Sequence, residues 1–91
     1  MAQLVVDVVA ADRKVWSGTA TLVSAPAADG EIGILAGHTP ILSALRAGNI
    51  RITPDKGDRV LFEITGGFLS VDHDEVTIVV DQATVLSGTD A

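Results

Sequence analysis

The sequence predicts an all-β fold of short antiparallel strands, and three observations carry that reading. Apolar residues recur with a period of two, the runs are rich in Val and Ile, and clusters of Gly, Pro, Asp and Asn separate them at short intervals. A period of two places alternate side chains on opposite faces of a strand. Branched side chains suit a pleated, half-buried surface.

In chain order, Leu4, Val6 and Val8 alternate with Gln3, Val5, Asp7 and Val9 and give the first strand. Ser17-Gly18 and Asp29-Gly30 read as turns. The stretch Gly30 to Pro40 holds Gly30, Gly33 and Gly37, and reads as a loop with Ile32, Ile34 and Leu35 near its turns. Ile41 to Leu45 fits one helical turn as well as a strand, and is read as a short strand after Pro40. A turn at Ala47-Gly48-Asn49 precedes the alternation of Ile50 and Ile52 with Arg51 and Thr53. Pro54 to Asp58 reads as a hairpin loop, followed by Val60, Phe62 and Ile64 in alternation. Phe68 to Val71 and Val76 to Val80 are strands joined by the turn Asp72-His73-Asp74-Glu75. The whole reads as about ten strands at the spacing of a sandwich or barrel. They form one domain over residues 1–86, with a short, frayed tail at 87–91.

Composition narrows the function. With 47% hydrophobic residues a core is attainable, and with only Trp16, Phe62 and Phe68 as aromatics it must be filled by Val, Ile, Leu and Ala. No cysteine is present, which excludes disulfides, thiolate metal sites and cysteine nucleophiles. A net charge of −6 repels phosphate backbones and anionic lipid surfaces. No apolar run approaches the ~20 residues of a membrane-spanning helix, so no direct membrane insertion is expected. The first residues lack the pattern of a signal peptide.

The candidates for chemistry are weak. His38 has no orienting carboxylate beside it in sequence and reads as a turn histidine. Asp72, Asp74 and Glu75 lack the further ligands and the fixed glycine of a calcium loop, and read as an acidic hairpin turn. Gly66-Gly67 opens no phosphate-binding motif, and is read as letting a neighbouring backbone approach closely. No serine stands in a nucleophile elbow. No catalytic residue, cofactor or metal is expected.

Five elements nonetheless agree in order with one known family. Val15-Trp16-Ser17-Gly18, Val23, the run Asp29 to Pro40, Gly48-Asn49-Ile50-Arg51-Ile52 and Gly66 to Val71 resemble the epsilon subunit of F-type ATP synthases. The resemblance runs from about Leu4 to Asp81. It implies a β-sandwich of two five-stranded sheets and a non-catalytic subunit of the central rotor, which binds the gamma subunit and stands on the ring of c subunits. It implies gamma contact at Ala10, His38, Thr39, Ser43 and Thr65, and c-ring contact at Glu31, Ile32, Gly33 and Ile34. Glu31 would set orientation there, while Ile32 and Ile34 would supply apolar contact. Trp16 stands where the family usually has Phe, and is expected to fill the core. Typical members continue past the position of Asp81 into a pair of helices that can inhibit ATP hydrolysis and sometimes bind ATP. Gln82 to Ala91 is too short for such a pair, so neither property is expected of this segment. A subunit of this kind sits on the cytoplasmic face of a bacterial plasma membrane, or less readily on a plastid thylakoid. A free-standing ligand-binding sandwich is the alternative, and would require a deep pocket rather than a broad contact surface.

Overall fold

The computed structural model describes residues 3–87 and contains nine β-strands and, among those residues, no helix. They are β1 (Leu4–Ala10), β2 (Arg13–Ala27), β3 (Gly30–Leu35), β4 (Ile41–Leu45), β5 (Gly48–Pro54), β6 (Val60–Ile64), β7 (Gly67–Asp72), β8 (Glu75–Val80) and β9 (Ala83–Ser87). The expected tail begins at Ser87, where β9 ends, and otherwise lies outside the described residues.

Strand β2 organises the sandwich. Its first half pairs with β1, and its second half pairs with β3 on one side and β5 on the other. One layer therefore runs β4-β7-β8-β1-β2, and the other β3-β2-β5-β6-β9. The two halves meet at an irregularity between Ala20 and Leu22, where Thr21 is the extra residue. Such a bulge bends a strand and lets it pass from one layer to the other. It also resets parity, so that Ala20 and Val23, three residues apart, are both buried.

The alternation seen in the sequence becomes the inner faces. Leu4, Val6, Val8, Leu69, Val71, Val76, Ile78 and Val80 from one layer meet Val23, Ile34, Ile50, Ile52, Val60, Phe62 and Ile64 from the other. Burial of this apolar surface is the main stabilising contribution, roughly 1.5–3 kcal/mol for each large side chain.

Three local expectations need correction. The pairing is not wholly antiparallel: β1 and β8 run parallel, with Val6 beside Val76 and Val8 beside Ile78. Period-two patterning fixes faces but carries no strand direction. Ser17-Gly18 is not a turn but lies within β2, where Gly18 leaves room for the Trp16 ring. Glu31 to Leu35 is not a loop but the strand β3, because pairing Val23 with Ile34 and Ala25 with Ile32 seals Ile34 in the core and half-buries Ile32 against it.

Candidate functional site

The outer face of the β4-β7-β8-β1 layer carries a row of apolar side chains. Register places Ala44, Phe68, Val79 and Val9 in one row across four strands, ending at Lys14 on β2. The neighbouring row is Leu42, Ser70, Thr77, Asp7 and Ser17. Leu42 is 73% exposed and Phe68 57%, and the two are diagonal neighbours across the β4–β7 pair. Val79 and Val5 are also exposed on this layer. Charge flanks the apolar row, where Asp72 is opposite Glu75, Asp81 follows β8, and Asp7, in the neighbouring row, lies 3.6 Å from Lys14. A contiguous apolar row flanked by polar and charged side chains is a surface suited to a protein–protein contact.

Of the residues expected to meet a gamma subunit, His38, Thr39 and Thr65 lie towards the ends of this layer, and Ser43 and Ala10 do not face outward. His38 and Thr39 occupy the β3–β4 loop at one end of β4. The turn there closes through the His38 amide donating to Leu35 O at 3.1 Å, with Gly37 at φ +87°. That is the glycine position of a type II turn. His38 is half-buried, and its Nδ1 donates to Thr39 O over 2.6 Å, which leaves Nε2 as the free ring nitrogen. Thr65 stands towards the other end, where its amide donates to Gln82 O at 3.4 Å and the Asp81 amide donates to Gly66 O. Ser43 and Ala10 turn the other way. Ser43 shares the inward side of β4 with Ile41 and Leu45, half-buried, and Ala10 is a core residue. Any contact at Ala10 would involve backbone rather than its side chain.

The residues expected to meet the ring share β3. This strand pairs only with β2, so its other edge is free among the described residues. Glu31 is exposed and its Oε2 accepts from Ser24 Oγ at 2.9 Å, which holds the carboxylate along the outer surface. Ile32 is half-buried against the core, and Gly33 is exposed. Ile34 does not supply the apolar contact expected of it, because it is 0% exposed and opposite Val23. The exposed apolar side chain of this strand is Leu35, at 59%. A shift of one residue along a strand exchanges the two faces, and the loop reading had no register to apply.

Among the described residues no polar side chain is buried and no group of three potential ligands converges. The acidic turn carries only an exposed contact of His73 Nδ1 with Asp72 Oδ1 at 2.9 Å. A groove lined by Ala11, Asp12, Arg13, Asp81 and Gln82 is open to solvent, and Arg13 spans it to reach Ala83 O. The deep pocket that a ligand-binding module would need is not the main feature of this surface. The sequence reading overlooked the apolar outer row; its signal was Leu42 and Phe68, large apolar residues at the outward positions of their strands.

Residues 3–85 match the family described as ATP synthase, Delta/Epsilon chain, beta-sandwich domain. The chain belongs to this family. The delta/epsilon assignment is supported by relatives at nearly full coverage. The ATP synthase epsilon chain of Rhodococcus erythropolis is 45% identical over 91 residues, covering 99% of this chain and 75% of that one. The epsilon chain of Micrococcus luteus is 47% identical over 83 residues, covering 91% of each. Among solved structures, a chain of the Euglena gracilis mitochondrial ATP synthase, in an assembly of OSCP, F1 and c-ring, superimposes with a TM-score of 0.88 at 25% identity. The match covers 94% of this chain and 55% of that one. A chain of the Tetrahymena thermophila mitochondrial ATP synthase central stalk and c-ring shares the fold, with a TM-score of 0.74 at 16% identity over 89% of this chain and 65% of that one. The sandwich implied by the family resemblance is therefore the observed fold, with β2 serving both layers.

Proposed function

We propose that this delta/epsilon-family chain is a non-catalytic coupling subunit of an ATP synthase rotor. Its two working surfaces are the apolar outer face of the β4-β7-β8-β1 layer, which docks on the gamma subunit, and the free edge of β3, which stands on the c-ring. The observation that carries this reading is the apolar row from Ala44 through Phe68 to Val79, with Leu42 beside it and the His38–Thr39 loop and Thr65 towards its two ends. A mechanical link needs broad, pre-formed contact on both sides and no reactive centre, and the rigid sandwich offers that. On the ring side, Glu31 is presented with Ile32 and Gly33 on an edge strand, while Ile34 holds the strand from within. An exposed charge contributes only about 0–1 kcal/mol in such a contact, so Glu31 orients and the surrounding surface binds. Such a subunit works at the cytoplasmic face of a bacterial membrane, attached through its partners.

The test is calorimetric titration of this chain with a gamma subunit from the same source. A one-to-one complex is expected. Replacing Leu42 and Phe68 together by serine should weaken it by at least about tenfold, as loss of central apolar contacts does, with the melting temperature little changed. No complex with a competent gamma subunit would refute the reading.

A further inference from the structure

We propose that Asp74 is a positioning residue for the gamma-docking surface: its carboxylate fixes the loop that carries His38 and Thr39. The inference rests on the reading that this loop meets gamma. The carboxylate Oδ1 of Asp74 accepts from the Gly37 amide at 2.7 Å, thirty-seven residues earlier in the chain. Among the described residues this is the hydrogen bond that ties the segment Ala36 to Pro40 to another part of the protein; the bonds of the His38 amide and ring stay within the loop and its approach. Asp74 is itself well anchored, because its carbonyl accepts from the Val5 amide at 2.9 Å at the start of β1.

The turn that carries Asp74 indicates why a carboxylate stands there. β7 and β8 are joined by the two-residue loop His73-Asp74, with φ of 51° and 62°. This is the left-handed pair of a type I′ hairpin, whose second position is best filled by glycine. Aspartate, like asparagine, tolerates this conformation, so glycine is preferred there but not required. Closing the turn therefore leaves the carboxylate available for another role. The role available to this side chain is the bond to Gly37. With it, the His38 loop is fixed before gamma arrives; without it, the loop must be ordered on docking, and affinity falls accordingly.

The experiment compares Asp74→Gly and Asp74→Asn with the unchanged chain. Two readings are taken: amide exchange at Gly37 in the isolated chain, and affinity for gamma. Asp74→Gly keeps the turn and removes the bond. It should stay folded, exchange the Gly37 amide at least about tenfold faster, and bind gamma on the order of tenfold more weakly. Asp74→Asn tolerates the left-handed conformation and keeps the acceptor oxygen, so it should restore both readings. The proposal is overturned if Asp74→Gly leaves either reading unchanged, if it unfolds the chain, or if Asp74→Asn fails to restore them. Failure of the unchanged chain to bind gamma removes the functional reading itself, which is a separate result from equal binding by the wild type and Asp74→Gly.

Discussion

Gly67 and the carbonyl of Val79 stand so close that no β-carbon fits between them. A methyl built on Gly67 would fall against that oxygen and 2.8 Å from Val80 Cα. Both obstacles are backbone of β8, paired to β7 along its whole length, and neither can swing aside. Gly67→Ala should therefore cost at least the upper end of the ~1–3 kcal/mol typical of overpacking. Urea unfolding measures it; a variant as stable as the parent would mean that β7 and β8 separate more readily than their pairing implies.

Ile34 and Leu35 are adjacent in sequence and opposite in consequence. Ile34 is sealed between the layers, so Ile34→Ala should destabilise by about 2–5 kcal/mol through lost burial and the cavity left behind. Leu35 faces solvent, and Leu35→Ser should change stability by no more than about 0.5 kcal/mol. If β3 is the ring-facing edge, Leu35→Ser should weaken assembly with the c-ring while the isolated chain melts normally. Thermal unfolding of the pair checks the burial, and reconstitution with the ring checks the contact.

The same strand marks the limit of what the sequence discloses. Alternation such as Val76, Ile78, Val80 or Val60, Phe62, Ile64 announced its inward face without help, and both sets are core. Ile41 to Leu45 was ambiguous because a five-residue apolar run satisfies either period, and pairing with β7 decided for strand. Gly30 to Leu35 reads as a loop because Gly30, Gly33 and Gly37 outweigh the short alternation of Ile32 and Ile34, and only the partner β2 supplies the register. The apolar outer row was hidden for a related reason. Leu42 on β4, Phe68 on β7 and Val79 on β8 are scattered singly along the chain, and strand order alone makes them one surface. The parallel pairing of β1 with β8 has no local signature at all.

Trp16 was expected to fill the core, and it is in fact half-buried at its margin, lying over Gly18 two residues along the same face of β2. A β-carbon on Gly18 would meet the indole ring at 2.9 Å and 3.2 Å. The ring is a movable side chain, so Gly18→Val should displace it rather than unfold the chain, at a cost of about 1–3 kcal/mol. Because Trp16 is the only tryptophan, its fluorescence reports the change directly. Red-shifted emission and easier acrylamide quenching are expected; an unchanged spectrum would mean that the indole does not rest on Gly18 in solution.

Arg46 joins the two layers where the sandwich closes on itself. Its amide donates to Pro26 O at 2.8 Å and its Nε to Ala27 O at 2.9 Å, while the Ala28 amide returns a bond to Ala44 O at 3.1 Å. Strand pairing at this seam is thin, a single partnership of Ala27 with Leu45, so the side chain adds a substantial share of the closure. A hydrogen bond from a charged donor contributes about 1.5–3 kcal/mol at most, and solvent at the seam lowers that, so Arg46→Ala should cost about 1–2 kcal/mol. Its effect should be local. The Ala28 amide should exchange faster while amides in the β7–β8 pair keep their protection, because the seam opens without the layer coming apart. Arg46→Lys should recover little, since an ammonium at the end of a flexible stem cannot reproduce a donor fixed at Nε. Equal exchange at Ala28 in all three proteins would assign closure to the backbone bonds alone. Faster exchange confined to Ala28 would identify Arg46 as the clasp that keeps β4, and with it Leu42 and Ala44 of the apolar outer row, in register with the rest of the sandwich.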